Sequence, residues 1–141
     1  MKFKSMLWIV VVVIFVVGLF IFTNFMPEEK APLDYVILKN FTNRNNSQGY
    51  IKNLQILIAP ESSANDVKKL AIYLKKMNSS YDLLIIDIFD SKAAFLRRGD
   101  LTYSEKEFSK HWLAAINHNK NTNYDKILLL DKKTCKFVEL K

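Results

Sequence analysis

Residues 50–90, YIKNLQILIAPESSANDVKKLAIYLKKMNSSYDLLIIDIFD, decide the fold. The opening stretch, 50–60, is a β-rich run closed by Pro60, which lacks the N–H that a sheet ladder needs. Residues 63–78 follow helical spacing: Val67, Leu70, Ala71, Leu74 and Met77 fall on one apolar face. Ser63 and Asp66 stand at capping-box spacing at its start, and Asn78-Ser79-Ser80 ends it. On the opposite face Lys68, Lys69, Lys75 and Lys76 flank Ile72. YDLLIIDIFD (81–90) is apolar almost without interruption, the pattern of a central strand covered on both faces. Asp87 and Asp90 fall at its C-terminal end.

Working outward, LDYVILKNF (33–41) is a short β-rich run and TNRNNSQG (42–49) a polar loop. A hairpin joining 33–41 to 50–59 is expected, with a loop longer than the favoured two residues. Toward the C-terminus, SKAAFLRRGD (91–100) reads as a helical turn or loop. Ser104 to Asn117 reads as a second helix, opened by the Ser104/Glu107 capping box and carrying Phe108, Trp112, Ala115 and Ile116 as its buried stripe. DKILLLD (125–131) is a strand, and TCKFVEL (134–140) alternates like an edge strand. The order β-β-α-β-α-β-β predicts an α/β (α+β) two-layer sandwich with both helices on one sheet face.

The N-terminus has a different composition. Residues 1–26 hold 20 apolar residues by count, against 50 in the 115 residues that follow. Met6 to Thr23 carries no charge. About 20 helical residues span the roughly 30 Å hydrocarbon core of a bilayer. Leu7 to Phe22 contains 14 Val, Ile, Leu or Phe, each favouring insertion by about 0.3–0.6 kcal/mol near the centre. Leu7, Trp8, Ile14, Gly18, Phe22 and Phe25 mark the proposed anchor, with Trp8 and Phe25 near its ends. A cleaved signal peptide is the alternative, but the apolar run exceeds the usual length of about 7–15 residues, and TNFMPEEKAP offers no small-x-small cleavage site. The expected organisation is a cytoplasmic 1–5, a transmembrane signal anchor 6–25, a linker 26–32 and an α/β domain 33–141. Lys2 and Lys4 precede the span, so the positive-inside rule leaves the domain outside the cytoplasmic membrane.

At 141 residues the sequence accommodates about one domain. A single cysteine, Cys135, excludes an internal disulfide framework, and it reads as a buried strand thiol. Three glycines leave no phosphate-binding loop, and no serine sits in a nucleophile elbow, so no cofactor is expected.

Asp87 and Asp90 end a strand where α/β folds place ligands, and two carboxylates suit a divalent cation. The alternative is a pair of solvated turn residues, with Asp90-Ser91 capping a helix. His111 and His118 lie seven apart, and Glu107 precedes His111 by one turn. No HExxH or Cys/His cluster accompanies them, so no metal site is assigned, and His118 near a helix end is explained by the dipole alone. The lysines Lys68, Lys69, Lys75 and Lys76 with Ile72, together with Arg97 and Arg98, form the candidate binding surface. It suits lipid headgroups, an anionic envelope polymer or a protein partner; a solvated helix face is the alternative. Exposed aromatics of a nucleic-acid reader are missing from the pattern, and the predicted side of the membrane argues against nucleic acid.

Three segments, LQILIAPESSANDVKKLAIYL, LLIIDIFDSKAAFL and FSKHWLAAINHN, together resemble small bacterial proteins with an N-terminal anchor and a compact α/β domain. The resemblance covers about residues 50–131 and implies a strand–helix–strand rhythm; no activity, cofactor or catalytic set comes with it.

The preferred expectation is a membrane-anchored, non-catalytic binding or accessory domain of the bacterial envelope, presenting its sheet edge or lysine-bearing helix to a partner. The alternative is a small membrane-tethered hydrolase, metal-assisted or not, using Asp87, Asp90 and His111. A third reading is an immunity or exclusion factor of a mobile element.

Overall fold

The computed structural model describes residues 13–14, 30–97 and 105–140. The chain divides into two units, residues 1–30 and 31–141. The anchor expected at 6–25 lies outside the described residues, save for Val13 and Ile14, which are helical. Among the described residues no helix is long and apolar enough to cross a membrane.

The second unit is a six-stranded mixed sheet with three helices, of the α/β class. In chain order it runs β1 (Val36–Asn45), β2 (Gly49–Leu57), α1 (Ala64–Met77), β3 (Leu83–Phe89), α2 (Lys92–Leu96), α3 (Glu105–His111), β4 (Trp112–Asn119), β5 (Tyr124–Asp131) and β6 (Lys136–Glu139). The strands lie side by side as β1-β2-β3-β4-β5-β6. All neighbours are antiparallel except β2 and β3, which α1 joins as a parallel pair.

Strand β1 meets β2 across a loop of only residues 46–48, because both strands extend into the polar stretch expected to be loop. The turn depends on Gly49 at φ +76°, where a Cβ would collide with the Asp82 carboxylate. Leu38 has no opposite residue, since Ile37 pairs with Ile56 and Lys39 with Gln55. That bulge kinks the edge strand.

Helix α1 begins where the Ser63 side chain accepts the Asp66 N–H at 3.2 Å and donates to the Asp66 carboxylate at 2.6 Å. Its buried stripe is Val67, Leu70, Ala71 and Leu74, while Met77 is exposed at the last turn. The stripe packs with Leu54, Ile56, Leu84, Ile86, Ile88, Ala114, Ile116 and Ile127, which project from one sheet face. Register aligns Leu54, Ile86, Ile116 and Ile127 across four strands. Each such buried aliphatic side chain contributes about 1.5–3 kcal/mol.

The helix expected over 104–117 is corrected: α3 stops at His111, and Trp112–Asn119 is a central strand between β3 and β5. Leu113, Ala114, Ala115 and Ile116 are all buried, and a run covered on both faces has no amphipathic period to separate strand from helix. Pairing on both sides then overrides the helix preference of Leu-Ala-Ala. The element order becomes β-β-α-β-α-α-β-β-β. The two-layer arrangement is corrected as well. Among the described residues α1 packs on one face, and the opposite face is met at one end by α2 and α3. There Phe89 meets Phe95 at 5.6 Å and Phe108 at 5.8 Å between ring centroids. Trp112 continues this cluster to Phe108 at 5.9 Å and Phe137 at 4.9 Å.

Candidate functional site

Strand β3 delivers two carboxylates to the end of the parallel β2–β3 pair, the place where α/β sheets hold ligands. Asp87 points away from α1, on the face opposite its neighbours Ile86 and Ile88, and is only 5% exposed. A buried carboxylate must be hydrogen-bonded. Among its partners are the indole Nε1–H of Trp112, which donates to Oδ1 at 3.0 Å, and the Gln55 amide, which donates to Oδ2 at 3.4 Å. Gln55 is itself buried and pairs with Asp87 in the ladder.

Asp90 follows the end of β3. Its side chain is 8% exposed, and its Oδ1 lies 2.7 Å from His111 Nδ1, on a ring 39% exposed. The Asp90 N–H also donates to the His111 carbonyl at 3.2 Å, so the loop after β3 is tied twice to the end of α3. Lys132, in the turn after β5, brings its Nζ within 3.6 Å of Asp90 Oδ2. With Nδ1–H donating to the carboxylate, a neutral His111 ring presents Nε2 as an acceptor, the orientation a general base requires. Ser91, beside Asp90, caps α2 by accepting the Ala94 N–H at 3.2 Å.

Two separate pairings result, Asp87 with Gln55 and Trp112 and Asp90 with His111 and Lys132, which neighbour each other along the chain at His111-Trp112. Gln55, Trp112 and Lys132 are additions to the expected set. Of these additions, Gln55 was signalled by its polarity inside an apolar strand run. Trp112 was read as a helical core residue, and Lys132 lies between two expected strands with nothing in the sequence to mark it.

Three grooves, of about 250, 370 and 410 Å³, are lined by other residues. The first lies between the start of α1 and the β5–β6 turn, with Val67, Leu113, Leu129 and Lys132 in its wall. Asp87, Asp90 and His111 line none of the three. Among the described residues no group of three or more His, Cys, Asp or Glu is arranged to hold a metal ion.

His118 is far from the helix end expected for it. It lies in β4 with Nδ1 3.0 Å from Asp125, whose other oxygen takes Lys75 Nζ at 2.7 Å. The Lys75 ammonium, followed by His118, holds the Asp125 carboxyl below the usual carboxylate range. Lys75 thus leaves the candidate surface for an ion pair with β5. Lys69, Ile72 and Lys76 remain exposed on the outer side of α1, Lys68 is half-buried, and Arg97 is exposed after α2. Arg98 lies outside the described residues, as do the anchor residues Leu7, Trp8, Gly18, Phe22 and Phe25; Ile14 is helical and exposed. Cys135 is not a buried strand thiol: it is exposed in the turn before β6, at φ +53°.

Among the described residues β1 is an edge strand with no partner on its outer side. It is ten residues long, stands at the sheet edge and is exposed along its length except at Leu38. Val36, Ile37 and Phe41 are 61%, 51% and 47% exposed.

No family model, no curated protein and no solved structure matches this chain.

Proposed function

We propose that the domain is a non-catalytic binding or accessory module, held by residues 6–25 at the outer side of a bacterial cytoplasmic membrane, that engages a protein partner along β1. The observation carrying this reading is the edge itself. A long strand with an open ladder and exposed apolar side chains is a surface other chains pair with. The carboxylates support the same reading. Asp87 ties β2, β3 and β4 together, and Asp90 with His111 ties the end of β3 to α3, so both have structural work in the resting domain.

The test is site-specific photo-crosslinking of the full chain in its native membranes. A photoreactive residue at Phe41 is expected to yield a discrete adduct, and one at Lys69 on α1 none. Adducts from Lys69 alone would move the contact to the lysine face of α1 and refute the edge reading. A C-terminal alkaline phosphatase fusion is expected to be active; an inactive but fully synthesised fusion would reverse the orientation.

The 2.7 Å Asp90–His111 contact favours a second reading, a small tethered hydrolase with His111 as base. A panel of chromogenic esters, amides and phosphoesters tests it. Turnover that is absent, or unchanged in His111→Asn, would remove it.

A further inference from the structure

We infer that the partner segment is an extended, acidic strand that adds to β1; this rests on the edge-binding reading above. Between Asp34 and Glu61 the chain has no acidic residue, but it has Lys39, Arg44 and Lys52. The β1–β2 hairpin therefore carries three positive charges and no carboxylate of its own. Three lysines elsewhere are matched: Lys75 with Asp125, Lys120 with Asp82, and Lys126 with Glu139. Among the described residues Lys39 and Arg44 form no ion pair, and the Arg44 guanidinium lies 5.1 Å over the Tyr50 ring.

Two other occupants fit less well. A second copy pairing edge to edge would bring Lys39 and Arg44 of both strands together with no carboxylate on either. Like charges across a strand pair are destabilising. A lipid headgroup or phosphate polymer supplies acceptors, whereas the open edge presents N–H and C=O groups in alternation, which only another backbone matches.

The register also gives a pattern. Lys39 pairs with Gln55 and Phe41 with Asn53, so both side chains project from the face that carries Asp87; Arg44 pairs with Tyr50 and projects from the α1 face. Residues facing Lys39, Phe41 and Arg44 then read acid-x-apolar-x-x-acid in a parallel partner. In an antiparallel partner they read acid-x-x-apolar-x-acid.

The test uses the full chain in detergent micelles and two labelled octapeptides, Thr-Glu-Thr-Val-Thr-Thr-Glu-Val and its reverse, followed by fluorescence anisotropy. One direction is expected to bind. Replacing both Glu by Lys should weaken it about tenfold, the size of two reversed cross-strand charge pairs. Replacing both Val by Pro should abolish it, because proline cannot complete the ladder. Lys39→Glu with Arg44→Glu should invert the preference. Should that variant misfold by circular dichroism, Lys39→Gln with Arg44→Gln should level the two charge forms. Equal affinity for Glu and Lys peptides, or for Val and Pro peptides, would overturn the inference. If no peptide binds but the Phe41 adduct still forms, the acidic strand is refuted and the edge reading stands. If the adduct is missing as well, both are refuted.

Discussion

Replacing Trp112 by Phe removes one hydrogen-bond donor and keeps most of a ring. The lost bond is the 3.0 Å contact from Nε1 to the buried Asp87 carboxylate. Hydrogen bonds to charged groups contribute about 1.5–3 kcal/mol, and leaving the acceptor short of a partner in the interior adds to the cost. The ring contacts to Phe108 and Phe137, each worth about 0.5–1.5 kcal/mol, largely survive a Phe at the same place. The expected loss is therefore about 2 kcal/mol, or roughly 8–15 °C in Tm for a domain of this size. Urea unfolding of the full chain followed by far-ultraviolet circular dichroism reads it, since the substitution removes the fluorescent probe. The decisive comparison repeats Trp112→Phe in an Asp87→Asn background, where the acceptor is neutral. There the loss should shrink by about 1–2 kcal/mol, a coupling expected only of residues in contact. If 104–117 were one helix, Trp112 would share a stripe with Phe108 and Ile116 and carry no coupling to Asp87. A loss under about 0.5 kcal/mol, or an equal loss in both backgrounds, would refute the placement of Trp112 on β4.

Gly49→Ala combines a positive φ with a collision against Asp82, and a thermal melt should show a loss of about 1–3 kcal/mol; no loss would mean the turn is built differently. Acid should destabilise the fold. Asp82 is held below the usual carboxylate range first by the Tyr50 N–H, Asp125 first by Lys75, and Asp131 first by the Thr134 hydroxyl. Groups with lowered native values stabilise fully above about pH 4, and that contribution disappears as pH falls through those values. A Tm that stays flat from neutral pH to well below 4 would contradict this. Lys75→Ala should cost about 0.5–1 kcal/mol through its pair with Asp125, while Lys69→Ala should stay within about 0.5 kcal/mol. Equal effects in denaturant titrations would mean that α1 presents its lysines uniformly.

The strand–helix–strand of residues 50–90 was legible because each part had its own signal: a proline stop, a capped amphipathic stripe and an apolar run too polar-poor for a surface. The same reasoning failed at WLAAIN. Its neighbours β3 and β5 cover it on both sides in the ladder, and nothing local records that pairing. The serine that caps α2 was readable from Asp90-Ser91, whereas the Asp90–His111 contact joins residues 21 apart and depends on where α3 ends. Cys135 was misplaced because the turn before β6 takes two residues more than the alternation suggested, which moved the thiol from the strand into a left-handed turn. The candidate site was therefore half visible. Its carboxylates stood out as charges at the end of an apolar run, but their partners came from β2, β4, the end of α3 and the turn after β5, whose placement no single segment carries.

Chain order and spatial order coincide in this sheet, and that bears on how the domain is made. Each new strand has its docking edge already in place when it is synthesised, so assembly can proceed from the N-terminal end without waiting for distant sequence. Two steps close long loops: β2 to β3, across the 25 residues from 58 to 82 that contain α1, and β3 to β4, across the 22 residues from 90 to 111 that contain α2 and α3. Local closure at the other steps keeps mean contact separation low and favours fast folding. At each stage the unpaired edge on the growing side is the one the next strand covers, so exposure to wrong partners is brief there. Among the described residues no strand covers the opposite edge, β1, and it is complete before any strand after β2 has been made.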